Sequence, residues 1–228
     1  MNEDTLKQTL ELALDAKDRL SLHKLDLTNN EEVDQLPKDV IAKHQQVDGI
    51  INNAGIIQPF IHVKELTIPK INQVMNVNFF GPLFMIKAFL PILLERPEAH
   101  ITNVSSMGAL VPVPGQTIYG ASKTALKLLS EGLNSELLGT SVRVTTVFPG
   151  ATETNITKNS DADATMLLKK PMKKTPKMLS PTKAASFIID ALEKNKVRVC
   201  VGSDSKFMDF YSRISPRKTA KMIAKMLS

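Results

Sequence analysis

The run "VRVTTVFPG", residues 142 to 150, consists of β-branched and apolar residues and closes with Pro149 and Gly150. Such a run predicts a buried strand, because β-branched side chains pack well on a pleated surface and a Pro-Gly pair ends a strand. Four further runs have a similar character: "RLSLHKLDL" (19–27), "VDGIINN" (47–53), "HITNVSS" (100–106) and "VRVCVG" (197–202). Because most of these runs are nearly continuously apolar, we expect strands that helices cover on both faces.

Helical patterns separate the predicted strands. They cover residues near 4–17, 30–44, 68–95, 117–139 and 181–194. The last of them begins clearly, with Ser180 as the expected N-cap and Pro181 at the first helical position. Alternating strands and helices predict an α/β fold with a doubly wound, Rossmann-like parallel sheet. Ligands of such a sheet bind outside the carboxyl ends of its strands.

Length and composition predict one main domain, residues 1–204, followed by a basic helical extension, residues 205–228. The single cysteine, Cys200, lies in an apolar run, which favours a reduced, cytoplasmic protein without disulfides or thiolate metal sites. "MNEDTLKQ" has no secretory signal pattern. The stretch "FFGPLFMIKAFLPILL" contains one lysine and two prolines, so we expect a buried, kinked helix rather than a membrane span.

Charge is distributed unevenly along the chain. Residues 1–157 hold 13 Lys and Arg against 17 Asp and Glu, whereas residues 158–228 hold 16 against 6. The end, "ISPRKTAKMIAKML", predicts an amphipathic helix with apolar residues on one face and lysines on another. We expect its apolar face to pack on the domain or on a second subunit. The alternative is contact of residues 216–228 with an anionic membrane surface. Nucleic-acid binding is disfavoured, since no aromatic platform or known motif is present.

Tyr119 and Lys123 are four residues apart in the predicted helix 117–139, so their side chains share a face. An ammonium close to a phenol lowers the phenol pKa from its usual value of about 10. Such a tyrosine can exchange a proton with an alcohol or a carbonyl oxygen. The alternative is that both residues are simply exposed on the helix.

Other polar residues are expected at the same edge of the sheet. Ser106 ends the predicted strand 100–106 and could bind a substrate oxygen, although a serine at a strand end also caps turns. Small residues in "IINNAG" (50–55) let a flat ligand approach the backbone, or they form an ordinary turn. The segment "VFPGATET" (147–154) either ends a strand or meets the same ligand.

Together and in this order, these pieces resemble the short-chain dehydrogenase/reductase family. The matching motifs are N-N-A-G (52–55), the Asn78 of "MNVNFFG", N-V-S-S-M-G (103–108), Y-G-A-S-K (119–123) and P-G-A-T-E-T (149–154). The resemblance extends over nearly the whole chain. It implies an oxidoreductase that uses NADP or NAD, acts on a secondary alcohol or ketone and forms a homo-oligomer, without a metal.

The resemblance also implies residue roles. Tyr119 is the expected general acid or base, Ser106 steadies the substrate oxygen, Lys123 lowers the tyrosine pKa and holds the nicotinamide ribose, and Asn78 anchors a water. The expected cofactor contacts are Asp26 at the adenine, Asn52, Ala54 and Gly55 along the cofactor, and Pro149, Gly150, Thr152 and Thr154 at the nicotinamide end. Thr152 departs from the aliphatic residue that is usual at its position.

One family feature has no counterpart in this sequence. The family normally begins with a strand and a glycine-rich turn, T-G-x-x-x-G-x-G, which binds the cofactor pyrophosphate; no such motif occurs here. In the family's strand order the predicted strand 19–27 then lacks both neighbours, and the strand 47–53 has an open edge. We expect an incomplete copy of a longer protein, or else a compact variant that pairs these strands directly. A non-catalytic remnant or interaction protein that cannot hold the dinucleotide is the alternative function.

Overall fold

The computed structural model describes residues 3–160, 162 and 178–227. Its centre is a parallel sheet of four strands in the order β1-β2-β3-β4. The strands are β1 (Gly49–Asn52), β2 (Ala99–Val104), β3 (Val142–Pro149) and β4 (Arg198–Val201). Four of the five predicted strands are therefore confirmed, and so is the Rossmann-like α/β fold.

Helices lie on both faces of the sheet. In chain order they are α1 (Glu3–Leu12), α2 (Asn30–His44), α3 (Ile68–Met75), α4 (Gly81–Leu94), α5 (Thr117–Glu136), α6 (Ile156–Asn159), α7 (Pro181–Glu193), α8 (Ser203–Ile214) and α9 (Pro216–Leu227). The main apolar core joins β1, β2 and β3 to α4 and the end of α5, and a smaller one joins β3 and β4 to α7. Ser180 caps α7 as expected, since its side chain accepts a hydrogen bond from the Lys183 N–H.

The helical segment Ile68–Leu94 has the length and composition of a membrane span, and it is the one such segment within the described residues. Its packing is that of a core helix in a globular domain. Ile86, Phe89 and Leu93 are buried in the main core, and α4 contacts β1 and β2. The segment is not a uniform helix, because a π-helical turn, Asn76–Phe80, separates α3 from α4.

The predicted strand 19–27 is wrong. A 3₁₀ helix covers Leu14–Arg19, and the chain from residue 20 to α2 contains no strand. The physical reason is that a strand needs a partner for its backbone N–H and C=O groups. Within the described residues, no strand pairs with the outer edge of β1, so direct re-pairing of residues 19–27 with it is not seen. The β1 strand is an edge strand.

The predicted helix at the chain end is confirmed as α9, and its inner face packs on the domain. Thr219 and Ile223 are buried, and Ile223 lies in an apolar cluster with Val111 and Met208. The helix α8, which comes directly before α9, contributes Met208 to the same cluster. We expected the apolar face of α9 to pack on the domain or on a second subunit, and in the structure it packs on the domain.

Candidate active site

Except for Asp26, the residues singled out from the sequence meet at the carboxyl ends of β1, β2 and β3. Ser105 and Ser106 follow β2, the segment 53–58 follows β1, and residues 150–154 follow β3. The first turns of α5 pack against the 3₁₀ turn Met107–Ala109, which comes after Ser106. This is the edge of the sheet at which a doubly wound fold binds its ligands.

Lys123 ties α5 to the end of β2. Its side chain is only 3% exposed, and its Nζ donates a hydrogen bond of 3.0 Å to the Val104 carbonyl oxygen. The Ser105 hydroxyl donates in return to the Lys123 carbonyl oxygen at 2.8 Å. The lysine is thus held in place from both its backbone and its ammonium group, rather than exposed on the helix surface.

Tyr119 and Ser106 form a hydroxyl pair. The Ser106 side chain hydrogen-bonds the Tyr119 phenol, and its Oγ also accepts from the Gly108 N–H at 3.0 Å. The backbone at Gly108 lies so close that a Cβ there would be 3.3 Å from the Tyr119 ring and 3.4 Å from the Ser106 Oγ. The sequence-based expectation that these two hydroxyls lie together therefore agrees with the geometry.

The expected effect of Lys123 on the Tyr119 pKa is not found. Burial raises the pKa of the Tyr119 phenol above its ordinary value, and the hydrogen bond from Ser106 offsets only part of this increase. The Lys123 ammonium binds the Val104 carbonyl, and burial lowers the pKa of Lys123 itself to about 8. Desolvation therefore dominates at both groups, since it disfavours the phenolate and the ammonium alike.

Asn78 lies in the π-helical turn between α3 and α4 and is fully buried. Its amide pairs with the backbone of Ile56, accepting from the N–H at 2.9 Å and donating to the carbonyl at 2.8 Å. It also donates to the Ser122 hydroxyl at 2.9 Å, and Ser122 donates to the Tyr119 carbonyl at 2.7 Å. Asn78 thus connects the segment after β1 to the helix that carries Tyr119, and π-helical turns are frequent at functional sites.

The segment after β1 approaches this cluster closely at Gly55. A Cβ at this position would lie 3.1 Å from the Lys123 Nζ and 3.3 Å from the Asn78 Oδ1. Asn53 and Ala54 are exposed beside it. The Asn52 side chain, in contrast, is buried and donates to the Asn103 side chain at 2.8 Å. The amide of Asn52 therefore fixes the neighbouring strand, and Ala54 and Gly55 form the open surface next to Lys123.

The segment after β3 is held by α8. The Asp204 carboxylate accepts a hydrogen bond of 2.7 Å from the Ala151 N–H and lies directly against Gly150. Thr152 donates to the Gly150 carbonyl, and the exposed Thr154 accepts from the Ile156 N–H. The residues from Pro149 to Thr154 thus form a fixed turn at the same end of the sheet.

Asp26 lies in the turn before α2. Its carboxylate accepts from the backbone N–H and the hydroxyl of Thr28, and these two bonds lower its pKa. It is exposed, and the next residue, Leu27, contacts Gly81 at the start of α4. Asp26 therefore lies in an exposed turn, and not in the strand 19–27 that the sequence predicted for it.

Sequence reasoning missed Gln58, which organises the start of α5. Gln58 is fully buried, and its Oε1 accepts from the N–H groups of Ile118 and Tyr119 at 2.7 and 3.2 Å. Its Nε2 donates to the Gly115 carbonyl at 2.8 Å. The N-cap residue of α5, Gln116, makes no capping bond with its own side chain, so Gln58 supplies one from another segment. A lone glutamine among the apolar residues of "IIQPF" was the available signal.

The structure describes no group of three or more His, Cys, Asp or Glu side chains that could hold a metal ion, among residues 3–160, 162 and 178–227. Residues 161 and 163–177 lie outside the described residues. Residues 108–114 and Gln116 line a mainly apolar cavity of about 520 Å³ together with α5 and Ala220.

Comparison with known proteins identifies the family. A family model for short chain dehydrogenases matches residues 1–165. SadH of Mycobacterium tuberculosis, which is named as an oxidoreductase, is 30% identical over 229 residues, covering 98% of this chain and 83% of SadH. The chain therefore belongs to the short-chain dehydrogenase/reductase family, a family of oxidoreductases.

Two solved structures support this conclusion. A short-chain dehydrogenase from Streptomyces avermitilis is 30% identical and superposes with a TM-score of 0.77, over 94% of this chain and 82% of that one. A short-chain dehydrogenase from Burkholderia cenocepacia, solved in complex with NADP, is 28% identical with a TM-score of 0.71, over 90% of this chain and 77% of that one.

Proposed function

We propose that the protein is an NADP- or NAD-dependent oxidoreductase that interconverts a secondary alcohol and a ketone. The observation that carries the proposal is the convergence of four side chains, Asn78, Ser106, Tyr119 and Lys123, at one edge of the sheet. Three different elements supply them, so their proximity depends on the fold and not on local sequence. A small-molecule substrate would reach the two hydroxyls from the open side of this edge.

The residues at this edge fit the nicotinamide end of a dinucleotide. Gly55 lets the backbone pass within contact distance of Lys123, and Ala54 is exposed beside it. We propose that Lys123 holds the nicotinamide ribose, with Asn52, Ala54 and Gly55 along the cofactor, residues Pro149, Gly150, Thr152 and Thr154 at its nicotinamide end, and Asp26 at the adenine. The cofactor supplies the hydride. The relative from Burkholderia cenocepacia binds NADP, which supports this assignment.

The protein's own part is to control charge at the substrate oxygen. When hydride adds to a carbonyl carbon, negative charge develops on the carbonyl oxygen. Groups that donate hydrogen bonds to this oxygen therefore stabilise the transition state. The raised pKa keeps the Tyr119 phenol protonated at neutral pH, ready to give its proton to that oxygen. Ser106 then donates a hydrogen bond to the same oxygen. Lys123 and Asn78, with a water between them, would return a proton to Tyr119.

The first test is cofactor binding. It is measured as the blue shift of NADPH and NADH fluorescence when the protein is titrated. The chain has no tryptophan, so energy transfer from indole does not complicate the signal. We expect saturable binding, weakened several-fold by Gly55→Ala, which crowds the Lys123 ammonium. Gly132→Ala is the matched control, since a Cβ at Gly132 would meet nothing within 4 Å. Turnover is then measured with a panel of secondary alcohols and ketones.

A non-catalytic protein is the second candidate. Two observations favour it: the sequence contains no T-G-x-x-x-G-x-G turn, and β1 has no neighbour on its outer edge within the described residues. Absence of a fluorescence change at millimolar NADPH and NADH would support this candidate and contradict the first. A cytoplasmic location and a homo-oligomeric state complete the proposal.

A further inference from the structure

The outer face of α8 carries an exposed apolar stripe. It begins at Phe207 and continues three, four and seven positions later, so the four side chains share one side of the helix. Their exposed fractions are 45% for Phe207, 61% for Phe210, 44% for Tyr211 and 65% for Ile214. The rings of Phe207 and Tyr211 are 4.4 Å apart between centroids, and those of Phe210 and Tyr211 are 5.9 Å apart. The stripe is therefore a continuous aromatic surface.

The domain's core does not account for this stripe. The opposite side of α8 already packs inward, where Met208 joins the apolar cluster with Val111 and Ile223 and Ser205 donates to the Phe148 carbonyl. Monomeric soluble proteins seldom leave several large apolar side chains side by side in water, and such patches mark interaction sites.

Basic residues accompany and follow the stripe along the chain. Residues 210–228 contain five Lys and Arg and no Asp or Glu. Because α9 turns Thr219 and Ile223 inward, its exposed surface includes Arg217, Lys218 and Lys221. The carboxylate on the flank of α8, Asp209, is bound by Arg198 at 2.5 Å and by Arg213 at 3.1 Å. The outer surface of the α8–α9 pair is thus aromatic and cationic, since Asp209 is paired and the other acid of α8, Asp204, accepts from the Ala151 N–H.

We propose that this α8–α9 surface docks on a membrane that contains anionic lipid. The four stripe side chains enter the boundary between head groups and acyl chains, where aromatic rings are favoured, and the basic residues of α9 contact lipid phosphates. A second copy of the chain is a poor occupant, since it would bring two acid-free basic helices together. The inference does not depend on the proposed oxidoreductase activity, and the inserting element is α8 rather than the apolar face of α9.

The test is sedimentation of the full chain with vesicles of phosphatidylcholine alone and of phosphatidylcholine with phosphatidylserine. We expect binding only to the vesicles with phosphatidylserine, and its weakening by salt. Lys218→Glu with Lys221→Glu should reduce partitioning by more than roughly 30-fold, the loss expected for two surface cations. Phe210→Ser with Ile214→Ser should reduce it by a similar factor. Equal circular dichroism melting curves would show that these variants fold.

Leu128→Ser with Leu138→Ser is the matched control for the stripe, because these leucines are exposed elsewhere on the domain. Lys64→Glu with Lys38→Glu is the matched control for charge. Both controls should bind vesicles as the unchanged chain does. The proposal is overturned if neither vesicle binds, or if the stripe variants bind as well as the controls. Tighter binding to duplex DNA than to the anionic vesicles, or a stripe that governs self-association in sedimentation velocity, would also overturn it.

Discussion

At the scale of single residues, the candidate site is governed by burial. Lys123 is almost completely enclosed, and the enclosure lowers its pKa from 10.5 to about 8. The same enclosure raises the pKa of Tyr119. A sequence shows that a phenol and an ammonium lie one helical turn apart, but it does not show how much water reaches them. This is why the pair was predicted from the sequence and the direction of the Tyr119 pKa shift was not.

The buried Lys123 ammonium should lower the free energy of unfolding at neutral pH. Its pKa is lower in the folded than in the unfolded chain, so the folded chain binds fewer protons between about pH 8 and 10.5 and stability rises over that range. We expect Lys123→Met to raise the free energy of unfolding at pH 7 by about 1–3 kcal/mol, and the gain to shrink as pH approaches 10.5. Urea denaturation at pH 7 and near pH 10 measures both values.

Lys127→Met provides the control for this prediction. Lys127 pairs with Glu131 at 2.7 Å on the partly exposed side of α5, so its removal should change stability by less than about 1 kcal/mol. A lower stability of Lys123→Met at pH 7 would show that the ammonium stabilises the fold, contrary to the burial argument.

At the scale of elements, features that depend on neighbours in the sequence were predicted correctly, and features that depend on distant segments were not. The helix α7 was predicted from Ser180 and Pro181 because a cap acts within a few residues. The strand 19–27 was predicted wrongly, because an apolar run becomes a strand only where a neighbouring strand satisfies its backbone. Gln58 escaped prediction for the same reason, since its partners at Ile118 and Tyr119 lie in a different segment.

The first turn of α5 should depend on Gln58. Gln58→Met keeps the side-chain length but leaves the partly buried N–H of Ile118 without its acceptor, at a cost of about 1–3 kcal/mol. We expect faster hydrogen exchange at Ile118 and Tyr119 and a lower kcat at unchanged KM for the cofactor. Gln35→Met, at an exposed position of α2, is the control. If hydrogen exchange at both amides is unchanged in Gln58→Met, Gln58 does not position Tyr119, whatever the enzyme activity of the variant.

At the scale of the whole molecule, the sheet has an open side. Within the part of the chain that the structure describes, the β1 strand pairs with β2 on one edge only, and Ile51 in it is 45% exposed. Open strand edges with apolar side chains promote pairing between chains. The open edge of β1 was predicted from the family resemblance.

We therefore expect concentration-dependent association through the β1 edge. Ile51→Lys places a charge on that edge and should reduce association, seen as lower light scattering at high protein concentration. Leu128→Lys, on the exposed side of α5, should leave the scattering unchanged. The opposite pattern, with only Leu128→Lys active, would place the association on α5 and contradict the argument from the sheet edge.

The turnover of Tyr119→Phe tests the central claim most directly. The protein has two tyrosines, so Tyr211→Phe is a matched control with the same chemical change. With a ketone that the unchanged protein reduces, we expect Tyr119→Phe to lower kcat at least 100-fold, the contribution typical of a general acid. Its affinity for NADPH, measured by fluorescence, should stay within a few-fold of that of the unchanged protein. Tyr211→Phe should keep full activity. Full turnover by Tyr119→Phe would contradict the assignment of Tyr119 as the proton donor.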